Sequence, residues 1–257
     1  MRALIPDSST VQPIYCEPGA TLTRKIHSNF FISQHAASGW NMINNFFGRR
    51  RPEPPRPIPP GQYLEDGFPV LTTGPTPRVD TATWEFTVQK STAPGNASAG
   101  NGDQTEASTE ILGRWDWNAL NALPQTDLHT DIHCVTKWSK LDTDWRGVTI
   151  DTLFEDAGIA RPTGYVMAFC DGGYTTNLPV ADIVDGKGLL VHTYDGQPLA
   201  PEHGGPVRLL VPHLYLWKSA KWVRGLKLMQ NDAPGFWEGY GYNMYGDPWR
   251  EQRYTGD

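Results

Sequence analysis

The apolar residues of this chain come in short runs, each closed by a glycine, a proline or an aspartate. GYVMAFC (164–170), GLLVHTY (188–194) and PVRLLVP (206–212) are the clearest, and KWVRGLKLM (221–229) is a fourth. Short runs rich in β-branched and aromatic residues and bounded by turn formers predict buried strands. With 26 glycines and 22 prolines in 257 residues, regular elements are interrupted often, which disfavours a helical bundle. ATWEFTVQ (82–89) alternates and predicts another strand. Two short helices are expected, WDWNALNAL (115–123) between Asp116 and Pro124, and IDTLFEDAG (150–158) ending at Gly158. Residues 233–254 show no period. The fold class expected is α+β, sheet-dominated.

Residues 1–60 have little apolar periodicity and end in RRRPEPPRPIPPG, whose prolines favour an extended polyproline conformation over packing. They are expected to be a disordered tail and linker ahead of one domain at 61–257. Met42 begins MINNFFGRRRPEPP, so residues 1–41 are read as a candidate upstream extension that the working protein lacks. STAPGNASAGNGDQTEAST (91–109) is polar and small-residue-rich, as expected of a surface insertion.

A formal charge of −6 argues against nucleic acid as the main partner, because neutralising phosphates needs a dense basic surface. No stretch approaches the roughly 18–20 consecutive apolar residues of a membrane span, and the N-terminus lacks the pattern of a secretory signal. Three cysteines, Cys16, Cys134 and Cys170, are an odd number at irregular spacing. That argues against a disulfide framework and for a reducing compartment, with the cytoplasm expected.

Three stretches carry chemistry. DIHCVTKWS (131–139) sets Cys134 beside His133 and near Lys137. A thiolate suits a transition metal, yet neither CxxC nor HExxH supplies the further ligands a protein-built zinc site needs. The cysteine is therefore either a buried apolar residue or the ligand of a metal held mostly by something other than protein. The stretch 208–227 gathers Arg208, Lys218, Lys221, Arg224 and Lys227, five of the 22 basic residues. In HGGPVR just before it, the glycines permit close backbone approach while Arg208 offers a fork for phosphate and His203 a hydrogen bond. A Gly/Pro turn followed by a solvated basic face is the alternative. FCDGGYTTNLP (169–179) places Asp171, Tyr174 and Asn177 after a buried strand, as ligand contacts or as a tight turn.

HCVTKWS, CDGGYTTNLP and EHGGPVRLLVPHLYLWKSAKW together resemble the molybdopterin-dependent oxidoreductases of the sulfite oxidase superfamily, particularly its small, haem-free cytoplasmic branch. The resemblance runs from about residue 59 to 254. It implies a sulfite oxidase-type molybdopterin-binding fold, with one pyranopterin and Cys134 holding the molybdenum and no haem. It further implies that His203, Arg208, Ser219 and Lys221, with backbone near Ala220, contact the pterin and its phosphate. Phe169–Asp171 and Asp66–Val70 align more loosely with cofactor-contacting stretches, and Trp237 and Tyr242 resemble a Trp/Tyr pair of sulfite oxidases. Lys137, Asp171, Tyr174 and Tyr242 are the substrate-side candidates. Sulfite oxidases carry an arginine a few residues after the metal cysteine; here Val135, Thr136, Lys137, Trp138 and Ser139 follow, and Lys137 is a point charge rather than a planar fork. The VxxWS pattern is closer to the haem-free methionine sulfoxide reductase catalytic subunits, which are exported.

The activity implied is two-electron oxygen-atom transfer on a small sulfur- or nitrogen-containing substrate, with electrons exchanged with a separate donor or acceptor protein. The alternative is a noncatalytic domain of the same fold that carries the cofactor or binds a partner. A Cys134/His133 hydrolase is disfavoured, since neighbours on an extended strand point to opposite faces.

Overall fold

The computed structural model describes residues 54–91 and 109–257. Residues 1–53, with Cys16 and Met42, and residues 92–108 of the insertion lie outside the described residues. The strands are β1 (Tyr63–Leu64), β2 (Glu85–Ser91), β3 (Thr109–Asp116), β4 (Thr126–His133), β5 (Trp138–Thr149), β6 (Tyr165–Cys170), β7 (Thr175–Pro179), β8 (Leu189–Tyr194), β9 (Gln197–Pro198), β10 (Arg208–Leu210) and β11 (Val223–Met229). Three short helices accompany them: α1 (Trp117–Ala122), α2 (Ile150–Asp156) and α3 (Phe236–Gly239).

The strands form two sheets. One runs β3-β2-β11-β6-β7; the other runs β1-β5-β8-β10, with β4 on β5 and β9 on β8. Most pairs are antiparallel, while β11 with β2 and β1 with β5 are parallel. The expected helices start as their caps dictate. Asp116 accepts from the Ala119 amide at 2.7 Å, and Thr149 from Thr152 at 3.1 Å.

The apolar runs are buried for a reason visible in the packing. Leu190 and Leu209 join a cluster with Phe86, Val88, Val166 and Leu226 of the five-stranded sheet. Their neighbours Leu189, Val191 and Leu210 join a second cluster with Ile132, Cys134, Trp138 and Trp145. A sheet covered on both faces needs continuous rather than alternating apolar sequence. Segment 63–71, through Tyr63, Phe68 and Leu71, covers that second face.

Several expectations change. DIHCVTKWS is not one extended strand: His133 ends β4, Trp138 begins β5, and Cys134 to Lys137 turn between them. The Cys134 amide donates to the Trp138 carbonyl at 2.9 Å, and the Lys137 amide to the Cys134 carbonyl at 3.0 Å. β3, β4 and the twelve-residue β5 were not expected; their exposed positions carry Asp, Arg and Lys that break up the apolar pattern. Within the expected linker, Arg56 is ion-paired to Asp131 and Asp142 at 2.5 and 2.8 Å.

Lys218 is the largest departure from a solvated basic face. Fully buried, its ammonium reaches the Glu238 carboxylate at 2.6 Å, Asn177 Oδ1 at 2.8 Å and the Met244 carbonyl at 2.7 Å. The same Glu238 oxygen accepts from Thr176 and from the Trp217 indole, both at 2.9 Å. This network ties the aperiodic C-terminal segment to β7. Removing one partner of a buried pair strands the other charge, so Lys218→Met should cost about 3–5 kcal/mol in chemical denaturation. Adding Glu238→Gln should recover part of that loss.

Candidate functional site

A cavity opens where the two clusters meet. It encloses about 140 Å³. Cys134 contributes to one wall from the β4–β5 turn; Arg208 on β10 and Ser219, Ala220 and Lys221 from the segment leading into β11 contribute to another. Tyr174, Trp217, Trp237 and Tyr242 form an aromatic wall, and Phe68 to Thr73 lie along the cavity from the segment before β2.

Cys134 is 5% exposed, and burial raises its thiol pKa. The Thr136 hydroxyl donates to its sulfur at 3.2 Å. Cys134 and Cys170 are both free thiols. Among the described residues no group of three or more His, Cys, Asp or Glu is disposed to hold a metal. A metal at Cys134 must therefore bring most of its own ligands. His133 is not placed as its base: its ring lies 2.8 Å from the Ser139 hydroxyl and 6.4 Å from the Trp249 ring.

Arg208 is 2% exposed and donates to the His203 carbonyl at 3.0 Å and the Ser219 carbonyl at 2.7 Å. Its Nε is buried without a partner, and among the described residues it meets no carboxylate. Desolvation lowers its pKa to about 10. Lys221 donates likewise to carbonyls, those of Leu71 at 2.8 Å and Glu202 at 2.6 Å, and lies 5.3 Å from the Trp222 ring centroid. Burial, reinforced by Arg208, lowers its pKa to about 7. Two adjacent cations without counter-ions and with an orphaned N–H are what an anionic cofactor group would complete, so the donor set fits a pterin phosphate.

His203 does not line the cavity directly. Its ring stacks on Phe68, centroids 3.9 Å apart and 5° from parallel, and its Nδ1 is buried without a partner. The glycines of HGGPVR serve packing rather than ligand approach. Gly204 has φ +109°, and a Cβ there would sit 3.0 Å from those of Arg208 and Lys221. Their absence of bulk draws the two basic residues together.

The other candidates divide. Tyr174 faces the cavity, donating to the Trp217 carbonyl at 2.6 Å. Tyr242 packs 4.9 Å from Trp237 and 5.2 Å from Trp217. Lys137, Asp171 and Phe169 are not among the lining residues. Lys137 is exposed in the turn at φ +73°, Asp171 pairs with Arg224 at 2.8 Å, and Phe169 lies over Gly225. The loosely aligned Asp66–Val70 stretch does reach the site through Phe68 and Pro69. Sequence reasoning assigns no role to Trp217 and Trp222, although it reads their neighbours Ser219, Ala220 and Lys221 in LYLWKSAKW as cofactor contacts.

The chain belongs to the family described as Oxidoreductase molybdopterin binding domain, which matches residues 73–237. It is similar to the uncharacterized oxidoreductase YuiH of Bacillus subtilis (strain 168), 38% identical over 219 residues, covering 82% of this chain and 100% of that protein. It is also similar to the putative protein-methionine-sulfoxide reductase subunit YedZ1 of Azospira oryzae, 33% identical over 132 residues, covering 51% of this chain and 50% of that one. Among solved structures, the sulfane dehydrogenase SoxCD from Paracoccus pantotrophus aligns with a TM-score of 0.47 at 16% identity, over 60% of this chain and 40% of that one. The protein is thus an oxidoreductase of the small sulfite oxidase-like class, whose cofactor is a molybdenum pterin. Among the described residues no helix is long and apolar enough to cross a membrane.

Burial and the two nearby cations lower the His203 pKa to about 4 from 6.5. The unfolded chain therefore takes up a proton before the folded one, and stability falls as pH drops through that window. In cofactor-free protein, His203→Gln should make the unfolding free energy less dependent on pH between 6.5 and 4, measured by urea titration at each pH.

Proposed function

We propose that this protein carries out two-electron oxygen-atom transfer on a small sulfur- or nitrogen-containing substrate, with Cys134 as the single protein ligand to molybdenum. The observation that carries this reading is the meeting, in one cavity, of Cys134 with Arg208, Ser219, Ala220 and Lys221, two sequence-distant sets with complementary chemistry. When bound, the molybdenum pterin supplies the two-electron redox chemistry, and the protein supplies position and electrostatics. Arg208 and Lys221 hold the phosphate end, with His203 fixing the Arg208 fork through its carbonyl and Ser219 doing so from the other side. The Ser219 hydroxyl accepts from the Val211 amide at 2.9 Å, which locks that loop.

Reduction of a neutral S- or N-oxide is the direction we favour over sulfite oxidation. Arg208 and Lys221 are the only cations among the lining residues, and both are committed to the cofactor end. The remaining wall is aromatic. Tyr174 donates its hydroxyl to a carbonyl, and burial raises its pKa well above the usual phenol value, so it positions the wall and is no base. Lys137 and Asp171 take no part in this reading. The Azospira relative, named as a methionine sulfoxide reductase subunit, points the same way. We further propose a separate electron donor protein and, on the free thiols of Cys134 and Cys170, a cytoplasmic setting.

Protein made in a cofactor-competent host should contain about one molybdenum per chain by elemental analysis. Cys134→Ala should abolish turnover, and Arg208→Gln should lower cofactor content about 10–100-fold. With a reduced dye as donor, sulfoxides or N-oxides should be turned over, and with an oxidised dye as acceptor sulfite should not; wild-type protein free of molybdenum would end the proposal.

A further inference from the structure

The turn that presents Cys134 is poorly made by its own sequence. Lys137 occupies the left-handed region at φ +73° without being glycine, a conformation costing an L residue roughly 1–2 kcal/mol. Such a turn persists only where its surroundings hold it. What holds it is a short strap, residues 56–66, from the end of the proline-rich segment. β1 lies parallel to β5 immediately beyond the turn, pairing Tyr63 with Trp138 and Leu64 with Ser139. The Tyr63 amide donates to the Lys137 carbonyl at 2.9 Å, the carbonyl of the strained residue itself. Gln62 Nε2 donates to the Cys134 carbonyl at 3.1 Å.

Arg56 closes the other end. Its fork reaches Asp131, 3.3 Å from Nε and 2.5 Å from Nη2, and Asp142, 2.8 Å from Nη2. Asp131 sits at the irregularity between Thr130 and Ile132 in the β4–β5 ladder, where its carboxylate also accepts from the Asp142 amide at 3.0 Å. The guanidinium thus joins both strands of the hairpin, through Asp131 before Cys134 and Asp142 farther along β5 after it. None of the strap lies within residues 73–237, the part that the family description matches.

We propose that Gln62 and Arg56 are positioning residues for Cys134, fixing the turn so that its thiol points into the cavity. This rests on the reading of Cys134 as the metal ligand, but its first test does not need the metal. In full-length protein made without cofactor, the rate of iodoacetamide labelling is measured at Cys134 by peptide mapping, with the core thiol Cys170 as internal reference. Gln62→Leu should speed labelling of Cys134 by about fivefold and Arg56→Gln by about twofold, with Cys170 unchanged and Arg56→Lys intermediate. In loaded protein the same two variants should shift the Mo(V) electron paramagnetic resonance signal, which a merely structural contact would leave alone.

Labelling of Cys134 at the wild-type rate in both variants overturns the proposal. So does a parallel rise at Cys170, which would mean general loosening. Should Gln62→Leu fail to fold, the exposed Arg56 variants decide the matter alone. Wild-type protein lacking molybdenum would sink the functional reading and leave the labelling comparison intact.

Discussion

Arg208 lies out of water against two backbone carbonyls, with its Nε bare and, among the described residues, no carboxylate within reach. Burying a guanidinium in this way costs several kcal/mol unless charge of the opposite sign completes the site. Much of the local architecture follows from housing it. β10 carries it between the two apolar clusters, the Ser219 and His203 carbonyls turn inward to meet its fork, and Gly204 permits the close approach of Lys221. Lys221 adds a second cation whose hydrogen-bond partners among the described residues are also carbonyls. Burial, reinforced by the two cations, draws down the His203 pKa, so the imidazole is neutral around pH 7. The protein holds a preformed deficit of negative charge, and the phosphate of a pterin has the charge to fill it.

The basic residues of 208–227 show why charge alone is an ambiguous signal. In sequence they look equivalent, a basic face on an acidic protein. In the structure Arg208 and Lys221 face the cavity without acidic partners among the described residues, Lys218 is neutralised by Glu238 in the interior, and Arg224 is paired with Asp171 near the end of β6. What separates them is the partner, supplied from positions 20 to 53 residues away. Glu238 falls in the aperiodic segment and Asp171 in a Gly-rich turn, so neither partner could be assigned by spacing.

The parts of the fold that were legible are those where one local force dominates. Continuous apolar runs mark β6, β8 and β11 because these strands are largely covered, and Asp116 and Thr149 start helices through side-chain hydrogen bonds that need no tertiary help. β5 was hidden because four of its positions are Lys, Asp or Arg, although Trp138, Trp145 and Val148 are buried. Cys134 and the HGGPVR and SAKW motifs were legible as chemistry, but their meeting was not, since it depends on β5, β8 and β10 lying side by side. The C-terminal segment has no period because hydrogen bonds from Lys218 and Asn177 to the Met244 carbonyl and irregularly spaced aromatic contacts of Trp237 and Tyr242 fix it rather than one periodic face.

The division of labour along the chain has a consequence for specificity. Residues 73–237, the span matched by the family, contain Cys134 and every cavity cation. The flanks add what surrounds them: the strap on the Cys134 turn before that span, and Tyr242 after it. The two flanks also touch, since the Arg253 guanidinium donates to the Pro60 carbonyl at 3.3 Å and lies 5.4 Å from the Tyr215 ring. Tyr242 reaches the cavity by packing on Trp217, whose indole is held by the same Glu238 oxygen that binds Lys218. On the proposed function, cofactor anchoring and the shape of the substrate wall rest on different interactions, the first on unneutralised cations and the second on a neutralised one. Substitutions in the flanks can reshape what the aromatic wall accepts while Arg208 and Lys221 stay as they are, which is the arrangement expected when one cofactor scaffold serves different small substrates.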